Sequence, residues 1–203
     1  MSAKSLRQLA GLKRPTSLDP GKTALILIDI QMDYFTPDKL YIPDGDRVAA
    51  NASRLREWAG SRGIAVVHIQ QVSSPASPIF ASGTPGIDLH PSLTPRDGEA
   101  VFSKTLPSSF DRTGLHEFLQ SRGITTLVLA GLMTHMCVET TARGALPLGY
   151  AVIVASDACA SRDLPAYDAQ GVISHQEVHR NALTAMADRF ADILTTDSIT
   201  RLE

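Results

Sequence analysis

A chain of 203 residues with 43% hydrophobic content is long enough to bury one sizeable core. Its formal net charge of -2 and pI near 6.3 lack the basic footprint of a nucleic-acid binder, and no apolar run approaches the roughly 20 residues of a membrane span. Met1 to Lys13 carry no signal-peptide apolar stretch, so we expect a cytoplasmic protein that uses neither nucleic acid nor membrane as a partner.

Residues 1–20 read as an irregular N-terminal segment ending in the turn signal Asp19-Pro20-Gly21. Residues 21–203 read as one domain. Thr23–Ile28 is a continuous apolar run rich in branched residues, which suits a strand buried on both faces of a parallel sheet. Val48, Leu55 and Trp58 then share one helical stripe, stopped near Gly60 to Gly63. Ile64–Ile69 is the next strand. Val72 to Gly98 is rich in Ser, Pro and Gly and reads as a long loop with one short helix; loops of that length are often functional.

Val101–Ser103 is a short strand candidate, followed by a helix over Leu115–Ser121 closed by Gly123. Thr126–Ala130 is another buried strand, Met136–Leu146 a helix closed near Gly149, and Tyr150–Ala155 a strand. A long helix is expected over Ala166–Ala187 and a last strand over Ala191–Leu194. Strands alternating with helices predict an α/β fold: a single-domain, doubly wound, mostly parallel sheet flanked by helices in a Rossmann-like three-layer α/β/α arrangement.

In such sheets ligands bind beyond the carboxyl ends of the strands. Three chemically capable residues fall there: Asp29 after the first strand, Lys104 after the Val101–Ser103 strand, and Cys137 in the turn after Thr126–Ala130. With Thr134 as N-cap, Cys137 would lie in the first turn of a helix. There the helix dipole and a nearby Lys104 ammonium would favour the thiolate. Asp29 would oppose the thiolate electrostatically but could take its proton and return it to a leaving amine. A buried structural cysteine is the equal alternative from position alone. With two cysteines, Cys137 and Cys159, no disulfide framework is expected.

The segments Ile28-Asp29-Ile30-Gln31, Lys104 to Phe110, Gly131 to Arg143, and Gly149-Tyr150 through Ser156-Asp157-Ala158 together resemble the isochorismatase-like cysteine hydrolases, in that family's order, over roughly residues 23 to 195. The resemblance implies an Asp29, Lys104 and Cys137 catalytic triad. It implies a cis peptide at Leu132-Met133 and an oxyanion hole from the backbone N–H groups of Met133 and Cys137. It also implies a small-molecule substrate and a homo-oligomer, dimer or tetramer. Gln31, Phe35, Phe110 and His135 are the expected pocket residues. His68-Ile-Gln-Gln-Val-Ser-Ser-Pro lacks the Asp-x-His cluster of metal-binding nicotinamidases, so we expect no metal and no other cofactor.

The resemblance further implies C–N bond cleavage in an amide, carbamoyl or ureido compound, through an acyl-enzyme intermediate, because the family's vinyl-ether-cleaving members often lack the nucleophilic cysteine that this chain has. The alternatives are a vinyl-ether hydrolase of the isochorismatase type, a metal-independent nicotinamidase-like enzyme, and a catalytically silent binding or scaffold protein. A redox-active thiol is disfavoured because no Cys-x-x-Cys pair is present. His175-Gln-Glu-Val-His179 is not a zinc-protease helix, since Gln176 stands where that motif needs Glu. The two His are expected on a helix surface or an interface. Gly21-Lys22-Thr23 precedes a strand and lacks the upstream Gly of a phosphate-binding loop.

Overall fold

The computed structural model describes residues 3–202. Its elements are α1 (Leu6–Leu9), β1 (Thr23–Ile28), α2 (Gly45–Ser61), β2 (Ala65–Gln71), β3 (Ala100–Lys104), α3 (Leu115–Ser121), β4 (Thr126–Leu132), α4 (Glu139–Ala145), β5 (Ala151–Ala160), β6 (Leu164–Pro165), β7 (Val172–Ile173), α5 (His175–Arg189), β8 (Asp192–Leu194) and α6 (Thr196–Thr200). Six strands form one sheet in the order β3-β2-β1-β4-β5-β8, and every neighbouring pair is parallel. This is the doubly wound sheet that the alternation of elements predicts.

Strand β1 shows why both faces must be covered. All six of its residues are buried, and successive side chains point to opposite faces. Leu25 and Leu27 join α2 side chains Val48, Ala52, Leu55 and Trp58 in one core. Ala24, Ile26 and Ile28 join Leu115, Leu119, Val138, Ala142 and Met186 of the helical layer on the other side. Helix α2 stops where Gly63 adopts φ +68, a conformation that glycine reaches at little steric cost.

Several expected boundaries are corrected. The N-terminal segment is not wholly irregular: Ser5 and Gln8 form a reciprocal capping box on α1, and Leu6 N–H donates to Asp188 Oδ1 at 2.8 Å. The long loop contains two short 3₁₀ turns, Pro85–Ile87 and Pro91–Leu93, instead of one helix. The strand expected to end at Ala155 runs on to Ala160. The helix expected from Ala166 starts nine residues later, at His175, because Ser174 and Glu177 close a capping box there. The preceding residues form the β6–β7 hairpin instead. No helix among the described residues is long and apolar enough to cross a membrane.

Candidate active site

The strand order reverses between β1 and β4, the switch point where doubly wound sheets open a crevice. Asp29 leaves β1 at that point with φ +50, in the left-handed region where Asp is among the few tolerated non-glycine residues. Its own N–H donates to Ile69 O of β2 at 2.9 Å, and its carbonyl accepts from Gln31 N–H at 2.9 Å. The backbone therefore bends sharply while the carboxylate stays in the interior, fully buried.

On the β4 side the close approach depends on Gly131, which is Ile28's partner in the β1–β4 register. A Cβ there would lie 2.0 Å from Ile28 O. The Leu132-Met133 peptide that follows is cis, as the resemblance implies. The chain then enters a π-helical turn over Thr134–Val138, which carries Cys137 into α4. Thr134 is not the N-cap: Met133 occupies that position without a side-chain capping bond. The Thr134 hydroxyl is instead engaged with His179 Nδ1 at 2.8 Å.

Lys104 comes from β3, two strands from β1, and closes the constellation. Its Nζ lies 2.7 Å from Asp29 Oδ2, both side chains fully buried. It also donates to Cys137 Sγ at 3.3 Å and to Gln71 Oε1 at 2.8 Å. The three N–H groups of an ammonium thus face three different partners. The Asp29 contact is a fully buried ion pair. The structure therefore brings Asp29, Lys104 and Cys137 together from three separate strand ends.

The electrostatics reverse one expectation. Burial pushes the Cys137 thiol up to about 12, and the Asp29 carboxylate adds to that, while Lys104 only partly offsets them. Burial thus favours the thiol over the thiolate in the resting site. Burial also raises the Asp29 carboxyl above its ordinary value, against the pull of Lys104. A carboxylate made more basic beside a thiol that must lose its proton is arranged for proton transfer between the two.

The expected pocket residues divide. Met133 caps the turn that carries Cys137 and His135 lies within it, and His135 Nδ1 is 3.0 Å from Ser161 Oγ. Gln31 is at the site but its amide is occupied: it accepts from Gln71 N–H at 2.8 Å and donates to the carbonyls of Gln71 and Ile87. It tethers the long loop to the end of β2. Phe35 packs against the His90 ring, with centroids 4.6 Å apart. Phe110 stacks on Tyr150 at 5.8 Å, a residue at the amino end of β5, so it packs as core away from the crevice.

His175 and His179 do not converge on one partner, since His175 Nδ1 meets Asp163 Oδ1 at 2.8 Å. Among the described residues no group of three or more His, Cys, Asp or Glu is placed to hold a metal. Sequence reasoning missed Gln71, at the carboxyl end of β2, which accepts from Lys104. The strand-end rule that singles out Asp29 and Lys104 would have found it had that strand been given its full length.

The model of the Isochorismatase domain matches residues 23–198. The chain belongs to the isochorismatase family. It is an isochorismatase-like cysteine hydrolase. An uncharacterized isochorismatase family protein of Bacillus subtilis, YddQ, is 34% identical, covering 87% of this chain and 97% of that protein. The ureidoacrylate amidohydrolase RutB of Methylobacterium radiotolerans is 31% identical over 71% of this chain and 69% of its own. Among solved structures, an isochorismatase from Pseudomonas putida matches with a TM-score of 0.90 and 33% identity, covering 97% of this chain and 99% of that one.

Proposed function

We propose that this isochorismatase-family hydrolase cleaves the C–N bond of a small amide, carbamoyl or ureido compound, with Cys137 as nucleophile, Asp29 as acid and base, and Lys104 as the electrostatic partner of both. The observation that carries this reading is the buried contact of Lys104 Nζ with Asp29 at 2.7 Å and Cys137 at 3.3 Å. A silent scaffold has no use for a lysine and an aspartate fully withdrawn from water beside a thiol, because burying charge is costly. The amidohydrolase among the relatives supports the same bond type.

In this reading Asp29 takes the Cys137 proton as sulfur attacks the substrate carbonyl and forms a C–S bond. The backbone N–H groups of Met133 and Cys137 receive the developing oxyanion. Collapse breaks the C–N bond while the proton on Asp29 moves to the departing nitrogen, leaving a thioester. Water then attacks the thioester, giving one proton to Asp29. The C–S bond breaks, the acid product leaves, and the proton returns to sulfur. Lys104 opposes the negative charge that moves between carboxylate and sulfur, worth roughly 4 kcal/mol at 4 Å in an effective dielectric near 20.

The test is intact mass spectrometry during turnover of a panel of carboxamides, carbamoyl and ureido compounds, with ammonia or amine release measured in parallel. We expect an acyl adduct on Cys137 and no hydrolysis by Cys137→Ala, whose fold should be intact by circular dichroism. Turnover by the purified Cys137→Ala variant would rule out the covalent route.

A further inference from the structure

Gln71 and Lys104 stand directly opposite one another in the parallel register of β2 and β3. Side chains at paired positions leave a sheet on the same face, so the amide lies beside the ammonium by construction, and Gln71 Oε1 accepts from Lys104 Nζ at 2.8 Å. The backbone of Gln71 is itself held. Its N–H donates to Gln31 Oε1 at 2.8 Å and its carbonyl accepts from Gln31 Nε2 at 2.9 Å. The fully buried Gln31 amide thus pairs with the end of β2 as a neighbouring strand would. On the other side Val72 N–H donates to Lys104 O at 2.9 Å. The two strand ends are joined just where the lysine side chain departs.

An ammonium only donates, so it must face the amide oxygen and not the amide nitrogen, which fixes the orientation of the whole group. Lys104 takes three N–H donors out of water, its side chain fully buried. Each needs an acceptor, since a buried donor without one is costly. Asp29 and Cys137 supply two, and Gln71 supplies the third. A four-carbon stem carries considerable rotamer freedom. Two acceptors leave the ammonium free to swing about the line that joins them, and a third fixes the point. The chemistry of that third acceptor matters as well. A carboxylate there would be a second anion close to Asp29 and Cys137, would draw on the same positive charge and would disfavour ionisation of sulfur. An amide satisfies the N–H and adds no charge.

We propose that Gln71 is a positioning residue: its neutral amide oxygen holds the Lys104 ammonium between Asp29 and Cys137 and leaves the whole positive charge to those two groups. Gln71 touches no reacting atom in this scheme and acts through the lysine. The role rests on the hydrolase reading above and deepens it, because it accounts for a cation that stays 3.3 Å from an uncharged sulfur while a carboxylate lies 2.7 Å away. Without the third acceptor Lys104 would close on Asp29, and sulfur would lack its cation at the moment the proton leaves.

The test is the rate of iodoacetamide labelling at Cys137, read by peptide mass spectrometry at one pH below the thiol's value, where the rate follows the thiolate fraction. Gln71→Met removes the acceptor and should slow labelling roughly 10-fold, the scale of one hydrogen bond to a charged group. Gln71→Glu keeps an oxygen there but adds an anion, and should slow labelling at least as much. In a Lys104→Met background, Gln71→Met should change the rate by no more than about twofold, within the usual margin of additivity, because no ammonium is left to position. On any compound of the panel that is hydrolysed, Gln71→Met should lower kcat and leave KM unchanged. Thermal unfolding establishes that each variant is folded, and Gln71→Leu carries the same test if the methionine variant is not. Labelling of folded Gln71→Met or Gln71→Glu at the wild-type rate, or an equal loss with and without Lys104, would overturn the role. If the wild-type enzyme hydrolysed nothing while Gln71→Met slowed labelling only where Lys104 is present, the proposed reaction would fall and the positioning role would stand. Hydrolysis through Cys137 with a kcat indifferent to Gln71→Met would keep the reaction and remove the role.

Discussion

At Cys137 the sequence places a helix end and a lysine that favour the thiolate and an aspartate that opposes it, and in the structure burial outweighs the first two and favours the thiol. The difference is depth. Position on a helix is visible in sequence, whereas burial of the sulfur, the largest influence on it, depends on the packed crevice. Alkylation by iodoacetamide should therefore be slow near neutral pH and accelerate toward the thiol's raised value of about 12. Asp29→Asn should move that profile to lower pH, because it removes a neighbouring anion, and yet abolish hydrolysis. Lys104→Met should move it upward. Identical profiles for wild type and Asp29→Asn would show that carboxylate and thiol are not coupled. Turnover has the opposite sign of dependence on Asp29: it needs the ionised base, so kcat/KM should fall as pH drops through the raised carboxyl value.

Elements, not loops, deliver the reactive groups, so their registers matter. Glu99 stands one residue before β3, whose far end is Lys104. Its carboxylate accepts from Arg56 Nε and Nη2 of α2 at 2.8 and 2.7 Å, and meets His68 Nε2 of β2 at 2.8 Å. Burial alone would raise Glu99, but the hydrogen bonds from Arg56, the Arg96 N–H and His68 outweigh it and hold it at about 2. A depressed carboxyl contributes stability that is present above its unfolded value and lost as pH falls toward the folded one. Acid unfolding should therefore set in below about pH 4.5. Glu99→Gln should cost roughly 3 kcal/mol at neutral pH and flatten that acid limb; a denaturant midpoint unchanged from wild type would refute the tie. Gly131→Ala tests the neighbouring seam. With its Cβ 2.0 Å from Ile28 O, β1 and β4 must separate, at a cost of roughly 1–3 kcal/mol or more. Urea melts should register that loss together with reduced kcat.

At the scale of the whole molecule, the sheet and the meeting of Asp29, Lys104 and Cys137 were legible in the sequence. Buried parallel strands read as apolar runs, and a polar residue that ends such a run stands out. The start of α5 was misplaced although its signal, Ser174 with Glu177 three residues on, was in plain view. Phe110 was misjudged because an aromatic after a strand-end lysine reads the same whether it lines a pocket or fills a core. Quaternary structure rests on resemblance, and we expect a homo-oligomer. The β6–β7 hairpin, where Tyr167 is fully exposed and Val172 and Ile173 are also exposed, is the apolar surface we expect it to cover. Light scattering at micromolar concentration should give a multiple of 21.8 kDa; a monomer alone would remove that expectation.

Asp29 and Lys104 enter the interior as opposite charges beside a thiol that burial keeps protonated, so these three groups sum to zero at rest. Passing the thiol proton to Asp29 leaves one anion, now on sulfur, and the same cation. The total does not change. Nucleophile formation is then the reorientation of an internal dipole and not the creation of an isolated ion, and it is the isolated ion that a low-dielectric interior penalises most heavily. A pocket too dry to sustain a lone thiolate can run the proposed cycle without drawing a counter-ion from solvent.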